Sequence, residues 1–224
     1  MCNRYEAPKA EQIQQHWQVE NLPNGIWQTT VHPRGSAPFL RAGQHRLALA
    51  VGRWGLIPPF ATSPEIKYST NNARSEELAA KPTYRDAWAK GQRCIIPAAS
   101  FDEPCWETGK NQWWRFTRAD GQPWGLAGLW NTWTDRSSGE MHESYTMLTI
   151  NADHHPLMRR MHKPDPQLPP DAQDKRSVIV LEQAELDRWL WGSMQDAQDL
   201  LKLSAVEVFR GTPIDTPSSQ ASLL

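Results

Sequence analysis

The sequence is short of several features that would place a protein quickly. Its 224 residues include 3 cysteines, Cys2, Cys94 and Cys105, and no C-x-x-C pair. An odd count without an export signal points to reduced thiols, and the ligand spacing of a zinc site is missing, so no metal or other cofactor is expected. No run of about 18 apolar residues occurs, which argues against a membrane helix. The opening residues, with Glu6, Lys9 and Glu11, contain no apolar signal core, so a cytoplasmic protein is expected. Neither charge dominates: the net value is -1. That balance speaks neither for nor against nucleic acid, because affinity follows the local field. Internal repeats and a domain-sized linker are also absent. At roughly 150 residues per domain the length fits one domain, or two small ones, and suffices to bury a core.

Tryptophan is what the chain has in excess, with 12 residues. Most are expected in the core, although tryptophan also stacks on bases in single-strand grooves. Hydrophobic spacing predicts a helix over 11–20 with Ile13 and Trp17 on one face, and a loop over 21–40. A half-buried strand is expected over 45–51, ending in the proline-stopped turn 53–60. Residues 75–90 read as a helix bent near Pro82, with Leu78, Tyr84 and Trp88 facing inward. Strands are expected at 93–97, 112–118, 124–130, 145–151, 177–181 and 205–209, with Asp120-Gly121 turning a hairpin between the second and third. Residues 163–176, with four prolines, read as a loop, and 182–202 as a helix in two pieces around Gly192. The tail 212–224 reads as disordered. Many short strands with interspersed helices indicate one α+β domain over 1–211, not a βαβ array.

The residue with the most unusual chemistry is Cys2. Once Met1 is removed, one residue carries a free α-amine and a thiol on adjacent carbons. The amine condenses with an aldehyde to a Schiff base, and the thiol closes on the same carbon to a thiazolidine. Arg4 is expected to favour the neutral amine and the thiolate. Three further groups are candidates. Asn72, in Asn71-Asn72-Ala73-Arg74, serves equally well as a helix cap or as part of an anion-binding loop with Arg74. Glu103 follows an apolar strand, where burial can raise a carboxyl toward acid/base use, although a solvated turn is the plainer reading. His154, His155 and His162 bracket Arg159 and Arg160, an arrangement suited to proton transfer beside a phosphate.

Together and in this order, Met-Cys-x-Arg-Tyr at the start, Arg-Trp-Gly-Leu-Ile-Pro (53–58), Asn-Ala-Arg-Ser-Glu (72–76), Arg-Cys-Ile-Ile-Pro-Ala to Phe-x-Glu (93–103) and Met-His (161–162) resemble the SOS response-associated peptidase family. The resemblance runs from Cys2 to about Leu181. It implies a single α+β domain with a twisted, partly barrel-like mixed or antiparallel β core and peripheral helices, acting as a monomer on single-stranded DNA that contains abasic sites, away from membranes. It further implies that Cys2 cross-links to the lesion, that Asn72 positions the sugar, and that Glu103 and His162 move protons at the aldehyde. Arg4 and Arg74 would hold flanking phosphates, and Trp54 and Thr149 would line the DNA path. Three departures stand out: Pro104-Cys105 separate Glu103 from Trp106, residues 163–176 form an insertion, and Asn3 replaces a glycine. Three activities remain open here: covalent capture of abasic sites, self-removal of Met1 by an N-terminal cysteine peptidase, and non-covalent single-strand binding.

Overall fold

The computed structural model describes residues 1–20 and 27–215. In chain order its elements are β1 (Tyr5–Glu6), α1 (Ala10–Trp17), β2 (Thr30–Val31), β3 (Ser36–Ala42), β4 (Leu47–Trp54), β5 (Asn72–Arg74), α2 (Pro82–Ala89), β6 (Arg93–Ala98) and β7 (Ser100–Cys105). They continue with β8 (Gln112–Arg118), β9 (Trp124–Thr134), β10 (Met141–Asn151), β11 (Arg176–Val178), β12 (Val180–Leu181), α3 (Leu186–Trp191), α4 (Met194–Asp199) and β13 (Phe209–Pro213).

Strands β4, β3, β6, β9 and β10 each bond the next, and β10 returns to β4 in parallel, which closes a five-stranded barrel. A second sheet, in the order β13-β8-β7-β1-β2, lies against it. The two-residue period of a strand divides the apolar residues between two cores. Cys94, Ile96, Tyr145 and Met147 join Tyr5, Phe101 and Phe116 of the second sheet in one cluster. Ile95, Leu129 and Leu148 join Trp17, Trp88 and Trp189 of the helices in the other. With both faces covered, β6 is buried along its whole length, and its sequence runs apolar instead of alternating.

The α+β class holds, and so do the inward faces of α1 and α2 and the break at Gly192. Other expectations need correction. The presumed loop 21–40 contains barrel strand β3; its residues 21–26 lie outside the described residues. Pro38 disguised this strand, and it is tolerated because β6 joins β3 only at Leu40 and Arg41, leaving the proline at an edge. Pro82 starts α2 and does not bend a longer helix; a short 3-10 turn over Ser75–Glu77 precedes it. Asp120-Gly121 does turn the chain, but β8 and β9 enter different sheets and form no hairpin. The long hairpin is β9–β10, paired from Met141↔Thr134 to Met147↔Gly128. Residues 176–181 split into β11 on β10 and β12 on β9, filling the gap where those strands part. The expected strand 205–209 is a 3-10 turn over Val206–Val208 followed by β13, whose last residues Thr212 and Pro213 were expected in the tail; 216–224 lie outside the described residues. Among the described residues no helix is long and apolar enough to cross a membrane.

Candidate active site

The site forms where the chain start meets β7. β1 runs antiparallel to β7 with Tyr5 opposite Phe101, a register that carries Asn3 opposite Glu103. Alternation then gives the neighbouring carboxylates of β7 different surroundings. Asp102 turns to Arg4, whose Nη1 lies 3.0 Å from Oδ2, and to Arg115, which donates from Nε at 2.9 Å and Nη2 at 3.0 Å. Glu103 turns to the interior and is 2% exposed.

Glu103 Oε2 lies 2.7 Å from His162 Nε2, and the same ring nitrogen contacts the Met1 amine. The Met1 nitrogen is also 3.9 Å from Glu103 Oε2. One imidazole nitrogen therefore faces a carboxylate and an amine. As Nε2–H it donates to the carboxylate; as a bare nitrogen it accepts from the ammonium. It cannot do both, so the three groups share protons. Burial pushes the Glu103 carboxyl up, but the Met1 ammonium, the His162 charge and the His162 hydrogen bond outweigh it and hold Glu103 below the ordinary carboxylate range.

His162 reaches this position through an unusual backbone. Its φ is 63°, the left-handed region, and its N–H donates to Pro104 O at 2.6 Å. Met161 bridges to Cys105 beside it. The histidine is thus fastened to the strand that carries Glu103. Its Nδ1 is buried and has no partner among the described residues.

Cys2 is fully buried, and its thiol donates to Arg4 O at 3.3 Å. Burial first, and then the negative charge of Glu103, push this thiol well above the ordinary range. The thiolate expected from Arg4 is therefore corrected: the Arg4 guanidinium is committed to Asp102 and, at 3.4 Å, to Glu6. From Arg4 it is the backbone carbonyl, not the guanidinium, that bonds the sulfur. The Cys2 carbonyl accepts from Asn72 Nδ2 at 2.6 Å and from Asn71 Nδ2 at 3.4 Å. Because a carbonyl can only accept, the nitrogen of each amide must face it, which leaves Asn72 Oδ1 as a buried acceptor with no partner among the described residues.

Asn72 caps no helix. It lies in β5, opposite Met147 of β10, and the turn after it starts from Arg74. Trp54, expected along the DNA path, is fully buried, and its Nε1–H donates to Asn71 O at 2.8 Å, so it sets the asparagine pair. Thr149, expected along the same path, is also buried; its hydroxyl donates to Ala73 O at 3.4 Å, so it ties β10 to β5. Arg74 is half exposed and ion-paired with Asp174 and, at 3.7 Å, with Glu77. The two arginines expected to grip phosphates thus both hold carboxylates.

The three histidines part company. His155 is buried, donates from Nε2 to Ser204 O at 2.9 Å, and accepts from Leu157 N and Met158 N on Nδ1. His154 is exposed, and only His162 joins Glu103. Among the described residues no group of three His, Cys, Asp or Glu is arranged to hold a metal ion. Sequence reading missed Lys175, which bonds the carbonyl of His162; Arg159, marked there beside the histidines, is exposed and has no ion pair among the described residues. A cavity of about 960 Å³ opens beside His162, lined by Trp106, Arg159 and Arg160 and walled by residues of 163–176. Lys163 lies over the Trp106 ring at 5.5 Å and Arg160 over Trp114 at 4.9 Å.

A model of the family described as SOS response associated peptidase (SRAP) matches residues 1–216. The abasic site processing protein YoqW of Bacillus subtilis is similar at 34% identity over 78% of this chain and 79% of its own length. The abasic site processing protein HMCES of Xenopus tropicalis is 28% identical over 54% of this chain; the match spans 44% of that longer relative. A Bordetella bronchiseptica protein of known crystal structure superposes with a TM-score of 0.84 at 36% identity, over 96% of this chain and all (100%) of that one.

Proposed function

The chain belongs to the SOS response associated peptidase family, and from that premise we propose that it captures abasic sites in single-stranded DNA as a covalent adduct of Cys2. The observation that carries this reading is the convergence of the chain's amino end, His162 and the buried Glu103 on one spot, with Asn72 holding the Cys2 carbonyl. It is supported by relatives named as abasic site processing proteins.

Met1 occupies the site in the unprocessed chain, and its loss makes the Cys2 nitrogen the free α-amine. The closed sugar of an abasic site opens when a proton leaves its hydroxyl and another reaches the ring oxygen, a transfer suited to the Glu103–His162 pair. The Cys2 amine adds to the aldehyde carbon, and water leaves as the C=N bond forms. The thiol then adds across that bond: sulfur bonds to carbon and its proton ends on nitrogen. Because burial keeps the Cys2 thiol protonated, it enters as S–H, and the order is amine first, sulfur second. Ring closure removes the imine through which strand scission would proceed. Asn72 Oδ1 is the free acceptor for a sugar hydroxyl. Incubating Met1-processed protein with abasic single-stranded DNA should yield a species that survives denaturation; equal yield from Cys2→Ala would refute the proposal.

A second reading, self-removal of Met1, is favoured by the contact of the Met1 amine with His162 and its closeness to Glu103. Here the Cys2 thiol attacks the Met1 carbonyl, the Met1–Cys2 C–N bond breaks as sulfur bonds to carbon and the thiol proton ends on the Cys2 nitrogen, and water then hydrolyses the thioester, releasing methionine and restoring the thiol. Intact mass decides it: Glu103→Gln should retain Met1 where the parent loses it.

A further inference from the structure

We infer that Lys175 is a positioning residue for the reaction: it holds His162 in the one backbone conformation that aims the imidazole at Glu103. The inference rests on the function proposed above. Lys175 is 7% exposed, yet it has no carboxylate within ion-pairing distance among the described residues. Its Nζ donates to Met161 O at 2.9 Å and to His162 O at 2.6 Å, the two carbonyls that flank the left-handed turn at His162. A non-glycine residue in that region is strained and persists only where its surroundings enforce it. Here the enforcement is two-sided: the His162 N–H is held by Pro104 and its C=O by Lys175.

The rest of the 163–176 segment places that ammonium. Asp153 accepts from Asp174 N at 3.1 Å and Lys175 N at 2.8 Å, and Ala152 N donates to Lys175 O at 2.6 Å. These bonds return the chain to β10 with Lys175 beneath its own starting point. The segment, which has no helix or strand of its own before Arg176, therefore acts as a strap whose far end fastens its near end. Burial holds the Lys175 ammonium below the ordinary lysine range against the pull of Asp153, a cost consistent with a charge kept for its three donors.

The test compares Lys175→Met with the parent, using protein whose mass shows Met1 lost. The cross-linking rate to abasic single-stranded DNA and the affinity for an oligonucleotide bearing a tetrahydrofuran in place of the lesion, which has no aldehyde, are both read. We expect the rate to fall on the order of 10²-fold, as for a catalytic group displaced by about 1 Å, with affinity changed less than about twofold, and a displaced acid limb in the pH–rate profile. Lys175→Arg, which keeps cationic donors, should recover part of the rate. A parent-like rate and profile, or rate and affinity lost together, would overturn the inference. If Lys175→Met does not fold, Lys175→Gln is read by the same two outcomes. A parent that fails to cross-link defeats the proposed function itself; a parent that cross-links beside an unaffected variant defeats only the role of Lys175.

Discussion

Asp102 and Glu103 are neighbours on β7, both carboxylates and both buried, yet the fold uses them in opposite ways. Asp102 meets two guanidiniums and has its charge and lone pairs satisfied. Glu103 meets one imidazole and the amine of the chain's first residue. A strand reverses its faces at each residue, so one step along the chain separates an ionic anchor from a carboxylate paired with an imidazole. Burial of an acid is thus no mark of reactivity; what matters is whether its partner can also exchange a proton.

Four measurements would break or sharpen this contrast. The largest effect is expected for Glu103→Gln, which keeps size and polarity but cannot carry a proton: cross-linking should fall about 10³-fold, with the urea midpoint nearly unchanged. Asp102→Asn should do the reverse. It leaves Arg4 and Arg115 to share Glu6 in place of their nearer, buried partner and should cost about 3 kcal/mol in urea unfolding, the lower end for broken buried pairs because both arginines are partly exposed and keep Glu6; cross-linking by the folded fraction should persist. If these two variants exchange phenotypes, the contrast is wrong. Trp54→Phe removes the N–H donated to Asn71 and should cost about 1 kcal/mol, with a modest loss of cross-linking as the asparagine pair loosens. The smallest effect concerns acid. Glu103 lies below its unfolded pKa, so its contribution to stability is complete above the ordinary carboxylate range and is lost as pH falls through its lowered folded value. The stability lost between about pH 7 and about pH 3 should therefore be smaller in Glu103→Gln than in the parent, measured by thermal unfolding at each pH.

Local pattern made the helices, most strands and the reactive candidates legible. Ile13 and Trp17, Tyr84 and Trp88, and the break at Gly192 follow from helical spacing and are where that spacing puts them. Cys2, Asn72, Glu103 and His162 were marked by order and resemblance, and they do gather. The misses share a cause. Nothing local distinguishes a strand that turns back on its neighbour from one that leaves for another sheet, so Asp120-Gly121 read as a hairpin. Nothing local tells an arginine free for phosphate from one held by Asp102 or Asp174. Trp54 and Thr149 carried the right segments, but their burial was invisible until both faces of the barrel were covered.

By itself the sequence determined which chemistries are available: an amine and a thiol on one terminal residue, an amide, a carboxylate and an imidazole, because these belong to side chains whatever the fold. Only the tertiary structure decided their states. It buried the Cys2 thiol and kept it protonated, set one imidazole nitrogen between Glu103 and the chain's amino end, and brought Lys175 under His162. The reason is that protonation and reactivity depend on solvent exclusion and on charges a few ångströms away. Those neighbours come from residues up to 161 positions apart, as between Met1 and His162, and closure of the two sheets is what makes them neighbours.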